Sequence, residues 1–265
     1  MTSFEMFGVS IDLDADVDEF LAALALRLPP LPPPTAGRPP ARRYVVANAA
    51  GGLEIRRGRC KLESAASMEA ALDLIVSDLQ RTLANRADGL VFVHAGAVAW
   101  QGRALVLPGR SRSGKSELVA ALVRAGAEYL SDEFAVFDGA GLVHPYARAI
   151  ALRQQDGTRA WIPAESLGAR IAARPVPPAL IAFLRFAPDA RWRPRPLSSG
   201  RAVLGLLRHA VAARRRLPLT RSVLVPVASS VGALTGVRGE AADLAERLLV
   251  ALASAPLPGV AVGRV

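Results

Sequence analysis

The stretch Pro108–Glu117, PGRSRSGKSE, decides how the rest of the chain is read. Gly109 is followed by four residues and then by Gly114, Lys115 and Ser116. Among 33 basic residues only Lys61 and Lys115 are lysines, so a lysine at this point runs against the composition of the chain. An apolar run, Arg103–Leu107, precedes the segment, and Leu118, Val119, Leu122 and Val123 follow it at helical spacing. A glycine-rich turn between a strand and a helix is the setting of a phosphate loop. Successive backbone N–H groups curl into an anion nest, the helix N-terminus adds positive potential, and glycine lets the main chain come close. A slim ammonium fits inside such a ring, whereas a planar guanidinium does not.

The sequence therefore predicts a nucleotide site, with ATP contacted by Gly109, Arg110, Ser111, Arg112, Ser113, Gly114, Lys115 and Ser116. Lys115 is expected on the β- and γ-phosphates and Ser116 on Mg²⁺. A phosphate loop also needs an acid to position the metal. The later apolar runs ALIAFLRF and SVLVPVA, both read as strands, carry none, which leaves Asp132, Glu133 and Asp138 as the nearby candidates.

Working outward, 265 residues suffice for one main core with a smaller N-terminal part. A single cysteine, Cys60, excludes a disulfide framework and a thiolate zinc site and points to a reducing compartment. The first twenty residues show no basic segment followed by an apolar run. The longest uncharged stretches, between Arg221 and Arg238 and between Arg247 and Arg264, are interrupted and fall short of the ~20 apolar residues a span requires. The expectation is a soluble, cytoplasmic protein without membrane attachment. A net charge of +10 permits anionic partners. Its arginines are scattered without interleaved aromatics, so no specific nucleic-acid partner is expected.

The division expected is residues 1–88, a small α+β segment with the proline-rich connector LPPLPPPTAGRPP, and residues 89–265, a mixed-sheet α/β core. Helical spacing marks Val17–Leu28 and Ser67–Asn85, and a hairpin is expected around AAGG. Leu90–His94, Ala97–Trp100 and Arg103–Leu107 read as three short strands, and Glu128–Leu130 and Phe134–Phe137 as two more around the acidic pair. Gly126 is placed to stop the helix after the loop. Further on, a helix is expected from Ser199 to about Ala213, closed by ARRR, then a strand over Val231–Val237 and a helix over Gly239–Ala253.

From Val93 to Asp138 the chain resembles the HPr kinase/phosphorylase family and its HPr kinase-related members, whose core is similar to that of phosphoenolpyruvate carboxykinase. The resemblance rests on four features in register: His94 fifteen residues before Gly109, the loop, Glu117 after Ser116, and Asp132-Glu133. It implies that Asp132 acts as general base on the acceptor hydroxyl and that Glu133, with Ser116 and Asp132, holds Mg²⁺. It also implies that Glu117 belongs to the nucleotide site, that His94 edges the phosphate, and that Arg153 offsets transition-state charge beside Lys115. Arg112 stands where the family has glycine, Glu133 where it has a second aspartate, and Ala151 where it has glutamate.

The resulting expectation is an ATP- and Mg²⁺-dependent kinase that phosphorylates a hydroxyl, foremost a serine of a protein or peptide, with a small-molecule alcohol and a homo-oligomer both compatible. Arg112 and Ala151 motivate the alternative, a nucleotide-sensing module that binds a protein partner without transfer.

Overall fold

Residues 1–255, apart from 18, 38, 111, 112 and 155, are described by the computed structural model of the chain. Two units, Met1–Asp88 and Gly89–Val265, divide it. Both combine helices with sheets of mixed strand direction, which makes the class α/β.

In the first unit a five-stranded sheet runs β1 (Thr2–Met6), β2 (Val9–Ala15), β3 (Arg42–Ala49), β4 (Gly52–Arg57) and β5 (Cys60–Ala65) in spatial order. Only the β2–β3 pair is parallel, and the crossover between these strands carries α1 (Phe20–Ala25) and the prolines. The helix is shorter than its apolar spacing predicts because Leu28 precedes Pro29, and a residue before proline is pushed out of helical backbone. The second helix, α2 (Met68–Arg86), is capped by Ser67, whose hydroxyl accepts from Ala70 N. Its buried Asp78 accepts from Tyr44 Oη at 2.6 Å and from Arg57 at 2.9 Å, which ties the helix to strands β3 and β4.

The second unit is built on an eight-stranded sheet. Its spatial order is β10 (Val143–His144), β9 (Phe134–Phe137), β6 (Val91–Trp100), β7 (Arg103–Pro108), β13 (Pro178–Phe186), β15 (Gly232–Arg238) and β14 (Arg195–Pro196), and β8 (Glu128–Ser131) also pairs with β6. Leu90–His94 and Ala97–Trp100 thus form one ten-residue strand, which pairs with β9 through its first half and with β8 through its second. Strands β7, β13 and β15 are parallel neighbours. A separate hairpin joins β11 (Ile150–Arg153) to β12 (Arg159–Ile162).

Alternation along the strands sends side chains to two apolar layers. Val98, Leu105 and Leu107 meet α3 (Lys115–Arg124) and α6 (Ala241–Ala253) on one face. Val93, Ala95 and Val106 meet α4 (Ser199–His209) and α5 (Leu217–Ser230) on the other. At Gly96 on β6 a Cβ would lie 2.6 Å from Val119 Cγ2, so glycine there lets α3 sit close to the sheet.

Two expectations fail here. Ser222–Ala228 is helical, within α5, and not a strand. A seven-residue apolar run has no period that distinguishes the two, and Pro218 in the first turn favours the helix. It buries Val223, Leu224, Val227 and Ala228 against the sheet. The second helix expected there, α4, ends at His209, so the arginines of ARRR precede α5 and do not close α4.

Candidate functional site

The loop leaves the carboxyl end of β7 and turns into α3 at Gly114, whose φ of +79° is a left-handed conformation that favours glycine. A Cβ on Gly114 would collide with Arg238 Nη2, and one on Gly109 would lie 2.7 Å from Ser113 Oγ. Close approach thus sets both glycines, and at Gly114 the backbone conformation does so as well. With glycine as its N-cap, α3 has no side-chain cap for its first-turn N–H groups. Lys115 Nζ folds back to donate to Gly109 O at 2.9 Å and Arg110 O at 2.8 Å. Burial lowers its pKa from the ordinary value, against the raising influence of Glu133 and Asp132. Ser111 and Arg112 lie outside the described residues.

The acidic pair sits in the tight turn between β8 and β9. Ser131 Oγ accepts from Glu133 N at 3.0 Å and Phe134 N at 2.9 Å, which fixes that turn from within. Asp132 is held from four sides. Ser116 Oγ donates to its Oδ2 at 2.9 Å, Tyr129 Oη to its Oδ1 at 3.1 Å, Arg148 Nε to its Oδ1 at 3.1 Å, and Ala151 N to its Oδ2 at 3.3 Å. Its side chain is 0% exposed, whereas that of Glu133 is 28% exposed.

Glu133 meets Arg148 Nη2 at 2.8 Å through Oε2 and His94 Nδ1 at 3.5 Å through Oε1. Burial pushes its pKa up, but the His94 contact and the charges of Arg148, His94 and Lys115 prevail and bring it down to about 2. His94 lies near the end of the β6 segment paired with β9, and its own carbonyl accepts from Gly109 N at 3.2 Å. The loop and the acidic pair thus share a backbone anchor.

The structure brings Gly109, Lys115, Ser116, Asp132, Glu133 and His94 together. It does not bring Arg153 to them: that residue is exposed on β11, opposite Arg159. Arg148 is the cation that spans both carboxylates, and its guanidinium lies 5.1 Å over the Trp161 ring. Glu117 is exposed in the first turn of α3. Beside it Arg238, at the carboxyl end of β15, donates to Gly114 O at 2.8 Å and to Gly239 O at 2.9 Å.

Neither Arg148 nor Arg238 is marked by a motif, because each reaches the site through the tertiary fold from a separate strand or loop. The tight turn at Ser131 was legible in principle, since a serine before an acidic pair is a turn signal.

Hard oxygen donors at Ser116, Asp132 and Glu133, beside the first turn of α3 with no side-chain cap, suit a magnesium–phosphate ligand. No group of three or more His, Cys, Asp or Glu among the described residues could hold a metal by itself. No helix among the described residues is long and apolar enough to cross a membrane. The chain matches no protein-family model and no curated protein.

Proposed function

We propose that the chain is an ATP- and Mg²⁺-dependent phosphotransferase that moves the γ-phosphoryl group to a hydroxyl, foremost a serine of a protein or peptide. The observation that carries this reading is the convergence of Lys115, Ser116 and the Asp132–Glu133 pair on one loop and helix N-terminus. The resemblance of Val93–Asp138 to HPr kinase-related proteins supports the same chemistry.

In this reading the loop amides and Lys115 bind the phosphates, and Lys115 exchanges its two carbonyl partners for phosphate oxygens. Mg²⁺ held by Ser116 and Asp132 would offset charge on the β- and γ-phosphates. Asp132, expected from the sequence to be the general base, is buried behind Ser116 and accepts hydrogen bonds from four residues, so in this reading it orients Ser116 and the metal instead. Glu133 and His94, both partly exposed, face an incoming alcohol. The hydroxyl oxygen attacks phosphorus as the bond to the leaving ADP oxygen breaks, and its proton passes to this pair. A loose transition state asks little of a base before the bond is largely broken, so the low pKa of Glu133 is compatible with that role. Arg148 keeps the two neighbouring carboxylates ionised and in place.

Incubation of the full chain with γ-labelled ATP, Mg²⁺ and serine-containing peptides tests the reading. Label on a serine hydroxyl with the natural chain and none with Lys115→Ala is the expected result. Nucleotide binding without turnover over a broad acceptor set would favour the sensing module instead.

A further inference from the structure

Beside the phosphate loop lies a cavity of about 760 Å³. It occupies the carboxyl ends of the parallel strands β13 and β15, the place where α/β sheets take ligands. Gly109, Arg110 and Ser113 form the wall it shares with the loop. Arg185, Arg191, Arg193 and Arg195, all exposed, also line it, and no Asp or Glu does among the described residues. A neighbouring cavity of about 480 Å³, which Arg191 and Arg193 also border, contains Glu240 and Asp243. Acidic residues thus partly offset the arginines of the neighbouring cavity, whereas none lines the cavity beside the loop among the described residues.

The stretch RWRPR, Arg191–Arg195, sets this geometry. Its arginines line the cavity, whereas Trp192 turns away and packs close to Gly236, where a Cβ would lie 2.8 Å from Trp192 Cζ3. Arg191, Arg193 and Arg195 fall at every second position of this stretch, and all three line the one cavity. Pro194 and Pro196 remove two backbone donors from this outer edge of the sheet. Side chains, not strand addition, are left to recognise what binds. His209 lines the same cavity, and burial, followed by the charges of Lys115, His94 and Arg110, lowers its pKa, as expected in a positive field.

A nucleotide does not account for this charge. Its triphosphate is met by the loop amides and Lys115, and its base and ribose are neutral. Three exposed guanidinium groups lining one cavity match carboxylates, which arginine binds in a forked, two-point geometry. Phe183 and His209, the aromatic rings among the described residues that line the cavity, do not make a stacking platform for successive bases.

Resting on the phosphotransfer reading above, we infer that the cavity selects an acidic acceptor: a peptide segment whose hydroxyl residue is flanked by Asp or Glu, with the acidic side chains paired to Arg191, Arg193 and Arg195. The segment would lie along RWRPR and reach the loop past Arg110 and Ser113.

The test uses the full chain and two tagged ten-residue peptides, each with one serine, one carrying alternate glutamates and the other glutamines in their place. Anisotropy should show the glutamate peptide bound about tenfold more tightly or better. The double variant R193E/R195E should abolish the preference, Arg195→Gln should weaken it, and R221E, the same kind of charge reversal on exposed Arg221 of α5, should leave it intact. Equal affinity for both peptides would overturn the inference. So would equal losses in R221E and R193E/R195E, or displacement of the acidic peptide by a single-stranded oligonucleotide of equal charge. ATP binding in the presence of Mg²⁺ is titrated separately, so a chain that binds ATP but ignores peptide charge contradicts this inference alone, whereas failure to bind ATP contradicts the phosphotransfer reading.

Discussion

Ser116 Oγ stands 2.9 Å from Asp132 Oδ2, across sixteen residues of chain and with no exposed surface on the Asp132 side chain. This contact joins the first turn of α3 to the β8–β9 turn, so the hydroxyl expected on Mg²⁺ and the acid expected to steady it are neighbours before any ligand arrives. Asp132→Asn should keep ATP binding but remove its dependence on Mg²⁺ and lower transfer by ~10²-fold or more. Calorimetric titrations with and without Mg²⁺, alongside a transfer assay, check this. Unchanged Mg²⁺ dependence would count against Asp132 as the metal's partner.

Arg148 holds Asp132 and Glu133 together from a side chain only 5% exposed. Arg148→Ala strands two carboxylates in a largely buried site and should cost about 3–5 kcal/mol of stability. Arg153→Ala, on an exposed strand, should change stability by no more than about 0.5 kcal/mol. Urea unfolding of both variants measures the contrast, and equal effects would refute the importance given to Arg148.

Glu133 supplies a pH signature. Its folded pKa, about 2, lies below the ordinary 4.5, so the folded state favours the ionised form. The stabilisation is fully present above about pH 5 and is lost as pH falls from there toward 2. It amounts to on the order of 3 kcal/mol at neutral pH. Glu133→Gln should flatten the acid limb of a stability-versus-pH curve by that amount, and an unchanged limb would contradict the placement of Glu133.

Gly114→Ala tests the cradle. The added Cβ meets Arg238 at a left-handed backbone position, where a non-glycine residue costs roughly 1–2 kcal/mol before any clash. Reduced thermal stability together with weakened ATP binding is expected. Normal behaviour in both would mean that the turn is not held as described.

Much of this was legible in local pattern. The loop, its flanking strand and helix, and the acidic pair between two short strands all follow from residue type and period over a few positions. Gly126, expected to stop α3, indeed follows its last turn with φ of +99°. What local pattern missed depends on long-range packing. Ser222–Ala228 is apolar without a decisive period, and only burial against the sheet shows it to be helical. Arg148, and not Arg153, meets the carboxylates because the chain beyond β10 returns to the β8–β9 turn, a path that spacing in sequence does not encode. The cavity lined by Arg191, Arg193 and Arg195 lies where Trp192 packs near Gly236, two residues 44 positions apart.

The most direct measurement is a calorimetric titration of the full chain with ATP in the presence of Mg²⁺, beside Lys115→Ala. The account predicts saturable binding of one nucleotide per chain, weakened between about tenfold and a hundredfold in the variant by loss of a charged phosphate contact. No binding at millimolar ATP, or equal binding by Lys115→Ala, would contradict it.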